Sequence, residues 1–74
     1  MPSNPLSQRM ELKSEVVRVT LRPKNLGELR RQRGLTLREL ASRCGLSTGF
    51  LNDLEWNRRT CSQEAFDRIK EALA

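Results

Sequence analysis

The sequence predicts an all-α domain, a compact bundle of four short helices, preceded by an N-terminal extension with one short β-strand. Three observations carry this expectation. Apolar residues recur at helical spacing across residues 34–55, where Leu40, Cys44, Leu46, Leu51 and Leu54 define one inward side. Capping residues stand at intervals suited to short helices, at Asn25, Thr36, Ser47 and Thr60. The composition also changes near Lys24, dividing the chain into an extension over 1–24 and a helical domain over 25–74.

The first fourteen residues, MPSNPLSQRMELKS, hold two prolines and mostly polar side chains, and are expected to be mobile or partly ordered. Residues 15–21, EVVRVTL, differ. Val17, Val19 and Leu21 alternate with Arg18 and Thr20, the period of a strand with one covered face. A lone strand cannot satisfy its backbone groups, and no second strand signal is visible. It is therefore expected to pair with the same strand of a second copy, as an antiparallel ribbon whose dimer interface is Val17, Val19 and Leu21. The alternative is an extended arm lying on the helical core.

Helix one begins after Pro23, with Asn25 as cap, Glu28 three residues on, Leu26 and Leu29 facing inward and Gly34 as its stop. Helix two covers about 37–43 and opens with a capping box of Thr36 and Glu39. Gly45 supplies the positive φ that ends it, and Ala41 is small where the next helix must come close. Helix three, about 48–56, is capped by Ser47. Thr60 is expected to cap helix four, which runs to about Leu73 with Gln63 at the capping-box position and Ala65, Phe66, Ile69 and Leu73 as its buried stripe. Two short helices crossing steeply about a glycine turn form a helix-turn-helix, whose second helix ordinarily enters the major groove of DNA.

The bulk properties fit such a partner. The chain has 74 residues, enough for one small domain, and a formal net charge of +5, which favours a polyanion. No apolar run is long enough to span a membrane, and no signal peptide is visible, so the expected location is the cytoplasm, on the nucleoid when bound to DNA. The two cysteines lack metal-ligand spacing and histidine is absent, so no metal and no cofactor are expected. Cys44 at an apolar helix position and Cys61 at the expected start of helix four are read as reduced thiols. Enzymatic activity is not expected: no histidine, no paired carboxylates in a pocket-like setting and no activated nucleophile can be assembled.

Residues 26–73 resemble the phage repressor and Cro family, also called the xenobiotic-response-element family. The resemblance rests on L-x-x-L-R-x-x-R-G-L-T-x-x-E-L-A-x-x-x-G-L-S followed by F-L-x-x-L-E. It implies a repressor-like helix-turn-helix domain in which Arg30 of helix one pairs with Glu55 at the end of helix three. It also implies that the DNA-reading residues are Thr48, Gly49, Asn52 and Asp53, with Phe50 and Ser47 flanking; Phe50 is counted with the expected base contacts. Four departures stand out. Leu37 occupies a position where the family often has a phosphate-contacting glutamine. Asn57 replaces the usual glycine after helix three, and Cys61 the usual proline near helix four. The family's fifth helix has no counterpart among the helical signals, so helix four is expected to be covered by the N-terminal segment or by a second protomer.

Each proposed contact has a chemistry. Asn52 can bond adenine N6 and N7, Asp53 can accept from cytosine N4, and Thr48 can touch a thymine methyl or a phosphate. Gly49 offers close backbone approach or simply room. Phe50 is either a core-edge residue or an apolar contact to thymine methyls. Arg38, Arg43, Ser47, Arg58 and Arg59 are the expected phosphate contacts. Trp56 is expected to bury its ring between helices.

Three function classes follow. The first is a sequence-specific DNA-binding transcriptional regulator, a homodimeric repressor reading a two-fold symmetric operator in double-stranded DNA. The second is an antitoxin-type protein that binds DNA and, through its N-terminal segment, a protein toxin. The third is a protein-interaction module built on the same fold.

Overall fold

The structure, a computed structural model, describes residues 10–74; the mobile start expected for 1–9 lies outside the described residues. Two strands precede four helices: β1 (Ser14–Val17), β2 (Thr20–Pro23), α1 (Leu26–Gln32), α2 (Leu37–Cys44), α3 (Thr48–Glu55) and α4 (Gln63–Ala72). The helical boundaries follow from local chemistry. Thr36 and Glu39 form a reciprocal capping box, and the backbone and side-chain hydrogen bonds from Thr36 hold the Glu39 carboxyl below its ordinary pKa. Gly45 ends α2 at φ 71°, and the amides of Gly45 and Leu46 both return to the Ala41 carbonyl. Ser47 caps α3 by accepting from the Phe50 amide.

The single strand expected over 15–21 is a hairpin. Val16 lies opposite Leu21 and Glu15 opposite Arg22, with the two-residue loop Arg18–Val19 between the strands. The alternating pattern runs unbroken through this loop, which has none of the Asn-Gly or Gly-Gly chemistry that announces a tight turn. Arg18 instead takes φ 61°, and Thr20 closes the turn by donating its hydroxyl to the Val17 carbonyl at 2.8 Å. The backbone groups thus find a partner within one chain. The three residues assigned to a dimer ribbon also part company. Leu21 is buried in the core, Val17 is half-buried, and Val19 is 94% exposed at the hairpin tip.

β2 is fastened on its other side. Leu21 and Cys61 exchange two backbone hydrogen bonds of 2.8 Å. This bridge keeps the chain extended through Cys61, so α4 starts later than expected. Its cap is Ser62, which accepts from the Ala65 amide, and not Thr60. Gln63 donates to Asp67 at 2.9 Å instead of turning back to a cap. Asn25 differs similarly: its side chain caps nothing, but accepts from the Lys13 amide and donates to the Glu11 carbonyl. Residues 10–14, expected to be mobile, are held by these bonds and by Leu12, which is buried.

One core unites the elements: Leu12 and Leu21 from the extension join Leu26, Leu29, Leu40, Leu51, Leu54, Phe66, Ile69 and Leu73. Met10 and Leu12 lie beside Leu29 and Leu73, and Arg33 donates to the Leu73 carbonyl at 2.7 Å. The N-terminal segment therefore supplies the cover expected for helix four. Both cysteines are buried and free, and burial raises each thiol above its ordinary pKa. Truncating a buried leucine costs about 2–5 kcal/mol, so Leu21→Ala should lower the stability measured by urea unfolding by that order. A loss below ~0.5 kcal/mol, typical of a surface change, would contradict the hairpin's place in the core.

Candidate nucleic-acid interface

The surface around α3 is built on an ion pair beneath it. Arg30 Nε donates to Glu55 Oε2 at 2.6 Å and its Nη2 to Oε1 at 3.2 Å, a two-pronged contact that fits the planar fork. Nη1 is used as well, donating to the Leu35 carbonyl at 2.8 Å. The side chains are only 15% and 9% exposed. The hydrogen bond to Glu55 outweighs burial and holds the guanidinium above its ordinary pKa. α1, the α1–α2 turn and the last residue of α3 thus meet at one side chain.

Gly27 makes room for this contact. A Cβ on Gly27 would lie 3.0 Å from Glu55 Oε1 and 3.3 Å from Arg31 Nη1. Gly27 carries a weak signal in the sequence: a glycine at the second position of a short helix, three residues before Arg30, where any helix former would otherwise be better.

The outer side of α3 presents the expected base-reading residues together. Thr48 and Gly49 are exposed, and Asn52 and Asp53, one turn on, are half-buried on the same flank. Leu51 and Leu54 face the core. Phe50 lies between the two, packed on the core edge, with the Arg59 guanidinium 5.3 Å from its ring centre. Gly49 contrasts with Gly27: a Cβ there would meet nothing within 4 Å. No internal contact requires the glycine.

The expected phosphate contacts divide into groups. Ser47 is exposed and uses its oxygen lone pair on the Phe50 amide, leaving its hydroxyl proton free to donate outward. Arg58 and Arg59 follow α3, where the chain turns through Asn57 at φ 60°. Both reach Asp53, at 3.5 and 3.9 Å, so the lone carboxylate on this flank is met by two arginines. Arg38 is exposed on α2. Arg43 stands apart from Arg58 and Arg59, lining a concavity with Cys44, Gly45 and Arg68 at the end of α2.

Trp56 is not in the core. It is 67% exposed, beside Lys24, Gly27 and Arg31. Leu51 and Leu54 already set the inward stripe, and a residue two positions past Leu54 points away from it. Among the described residues no cluster of metal-ligating side chains occurs, and no helix is long and apolar enough to cross a membrane.

The family model of the helix-turn-helix domain matches residues 25–74, and the chain belongs to that family. No curated protein and no solved structure is significantly similar to it.

Removing one partner of a fully buried ion pair costs about 3–5 kcal/mol. With some exposure retained here, Arg30→Ala or Glu55→Ala should cost about 2–4 kcal/mol in urea unfolding. An effect below ~1 kcal/mol would place the pair with ordinary surface ion pairs and remove its role in fixing α3.

Proposed function

We propose that this helix-turn-helix protein is a sequence-specific DNA-binding transcriptional regulator, a homodimeric repressor that reads double-stranded DNA with the outer side of α3. The observation that carries this reading is Gly49. A glycine inside a helix costs about 1 kcal/mol relative to alanine, and a Cβ at Gly49 would meet open space. We take the bare backbone to serve a surface outside the chain that comes close to the first turn of α3. The residues flanking Gly49 suit a base-pair edge. Thr48 offers a methyl and a hydroxyl, Asn52 the paired donor and acceptor that match adenine, and Asp53 an acceptor for cytosine N4. Phe50 adds an apolar edge for a thymine methyl.

The arginines fit the backbone on either side of a groove. Arg58 and Arg59 leave the end of α3, Arg38 sits near the start of α2, and Ser47 can donate from the cap. The pairing with Asp53 is long and partly exposed, so a phosphate oxygen can displace it at small cost. These roles match those implied by the repressor and Cro resemblance.

The homodimer is supported by the hairpin. β1 is the open edge of a two-stranded sheet, and its Val16 is 71% exposed. Exposed apolar side chains on an unpaired edge are suited to a second copy. Two recognition helices read successive major grooves when about 34–36 Å apart, so the expected operator is two-fold symmetric.

Gly49→Ala tests the reading because it separates fold from function. It should stabilise the domain by up to about 1 kcal/mol in thermal unfolding. It should also weaken binding to an operator selected from random DNA, followed by fluorescence anisotropy. Asn52→Ala should reduce the preference for operator over scrambled duplex by about 1–3 kcal/mol. If Gly49→Ala binds operator as tightly as the parent, close backbone approach is wrong.

A further inference from the structure

We propose that Arg22 of the β-hairpin is a further phosphate-binding residue, which makes the hairpin part of the DNA-binding surface. Arg22, Asn57, Arg58, Arg59 and Thr60 line one open cleft of about 390 Å³ beside the end of α3. Three arginines from two separate segments line it, and no carboxylate is among the lining residues. The arrangement follows from the backbone: the Leu21–Cys61 bridge sets the hairpin antiparallel to the segment after α3, and so brings Arg22 next to Thr60.

The arginines around the cleft are only loosely held by carboxylates. Arg22 Nη1 holds Glu15 at 3.1 Å, with both side chains substantially exposed. Arg58 and Arg59 are held by the long contacts to Asp53. A phosphodiester has two unesterified oxygens and one negative charge. It matches the planar guanidinium fork as a carboxylate does, and the carboxylate contacts present are partly solvated and easily exchanged. The ligand is thus a backbone phosphate next to the groove that α3 enters. The hairpin would then do two tasks, closing the core with Leu21 and lengthening the footprint with the neighbouring Arg22.

This inference rests on the DNA-binding reading, and the test separates the two. Binding to duplex DNA is measured over a salt series for the full chain, Arg22→Gln, Arg58→Gln, Glu15→Gln and Glu71→Gln. Losing one phosphate contact lowers the salt slope by about 0.9 and should weaken operator and scrambled duplex alike, roughly threefold to tenfold at low salt. Arg22→Gln should show this loss, as should Arg58→Gln. Glu15→Gln, which frees Arg22 from its carboxylate, should tighten binding more than Glu71→Gln, an equal change of charge on α4. A purely structural role for Arg22 does not produce that gain. If Arg58→Gln behaves as stated while Arg22→Gln keeps the parent slope, or if Glu15→Gln matches Glu71→Gln, the inference is overturned and the DNA reading stands. If the full chain shows no salt-dependent binding to DNA, both are overturned.

Discussion

The Arg30–Glu55 pair is the constraint on which the arrangement of the helices depends. A short helix of eight residues has little stability of its own and takes its direction from what its ends and apolar face touch. Leu51 and Leu54 seat α3 on the core, and the guanidinium fixes its far end. It grips the last residue of α3 with two donors and the carbonyl of Leu35 with a third, so α3 and the entry to α2 are held from one point on α1. Gly27 is part of the device, because a larger residue would press on the carboxylate oxygen that Arg30 binds. A surface ion pair could not do this, since solvent would compete for each prong.

The second constraint is size. Four short helices bury a small core, and the extension enlarges it. Leu12, Leu21 and the buried Pro23 all come from residues before α1. Two sets of hydrogen bonds fix the extension: the Asn25 side chain to Glu11 and Lys13 in the segment leading into β1, and the Leu21 backbone to Cys61. The same ties decide which residues stay outside. Val16 and Val19 project from the hairpin, and Arg22 is carried to the loop after α3.

What could be read in advance was local. The capping box at Thr36 and Glu39, the αL glycine at Gly45 and the Ser47 cap each depend on residues within four positions, so their chemistry is written in the sequence. Asn57 in the left-handed region belongs with them. At Asn25 and Thr60 a distant partner prevailed over the local signal. Asn25 has the composition of a cap, but two backbone groups more than ten residues away took its side chain. Thr60 looked like a cap until the bridge to Leu21 kept the chain extended past it. The hairpin escaped notice because Arg18 turns where glycine or asparagine is usual. At the candidate interface, the side of α3 that carries Thr48, Gly49, Asn52 and Asp53 was legible from helical spacing. Gly27 and Arg22 were not, because their roles come from tertiary neighbours, and Trp56 was misjudged because its size suggested burial where its register did not.

The proposed DNA-binding surface is continuous: the outer side of α3, the loop after it and the adjoining strand. The most direct measurement is a titration of isotope-labelled protein with a selected DNA duplex, following backbone amide shifts by NMR. The largest changes are expected on residues 47–53 and 57–59 and on Arg22, with little change around Met10, Leu12 and Leu73. Changes concentrated on the Met10–Leu73 side, with α3 unaffected, would contradict it.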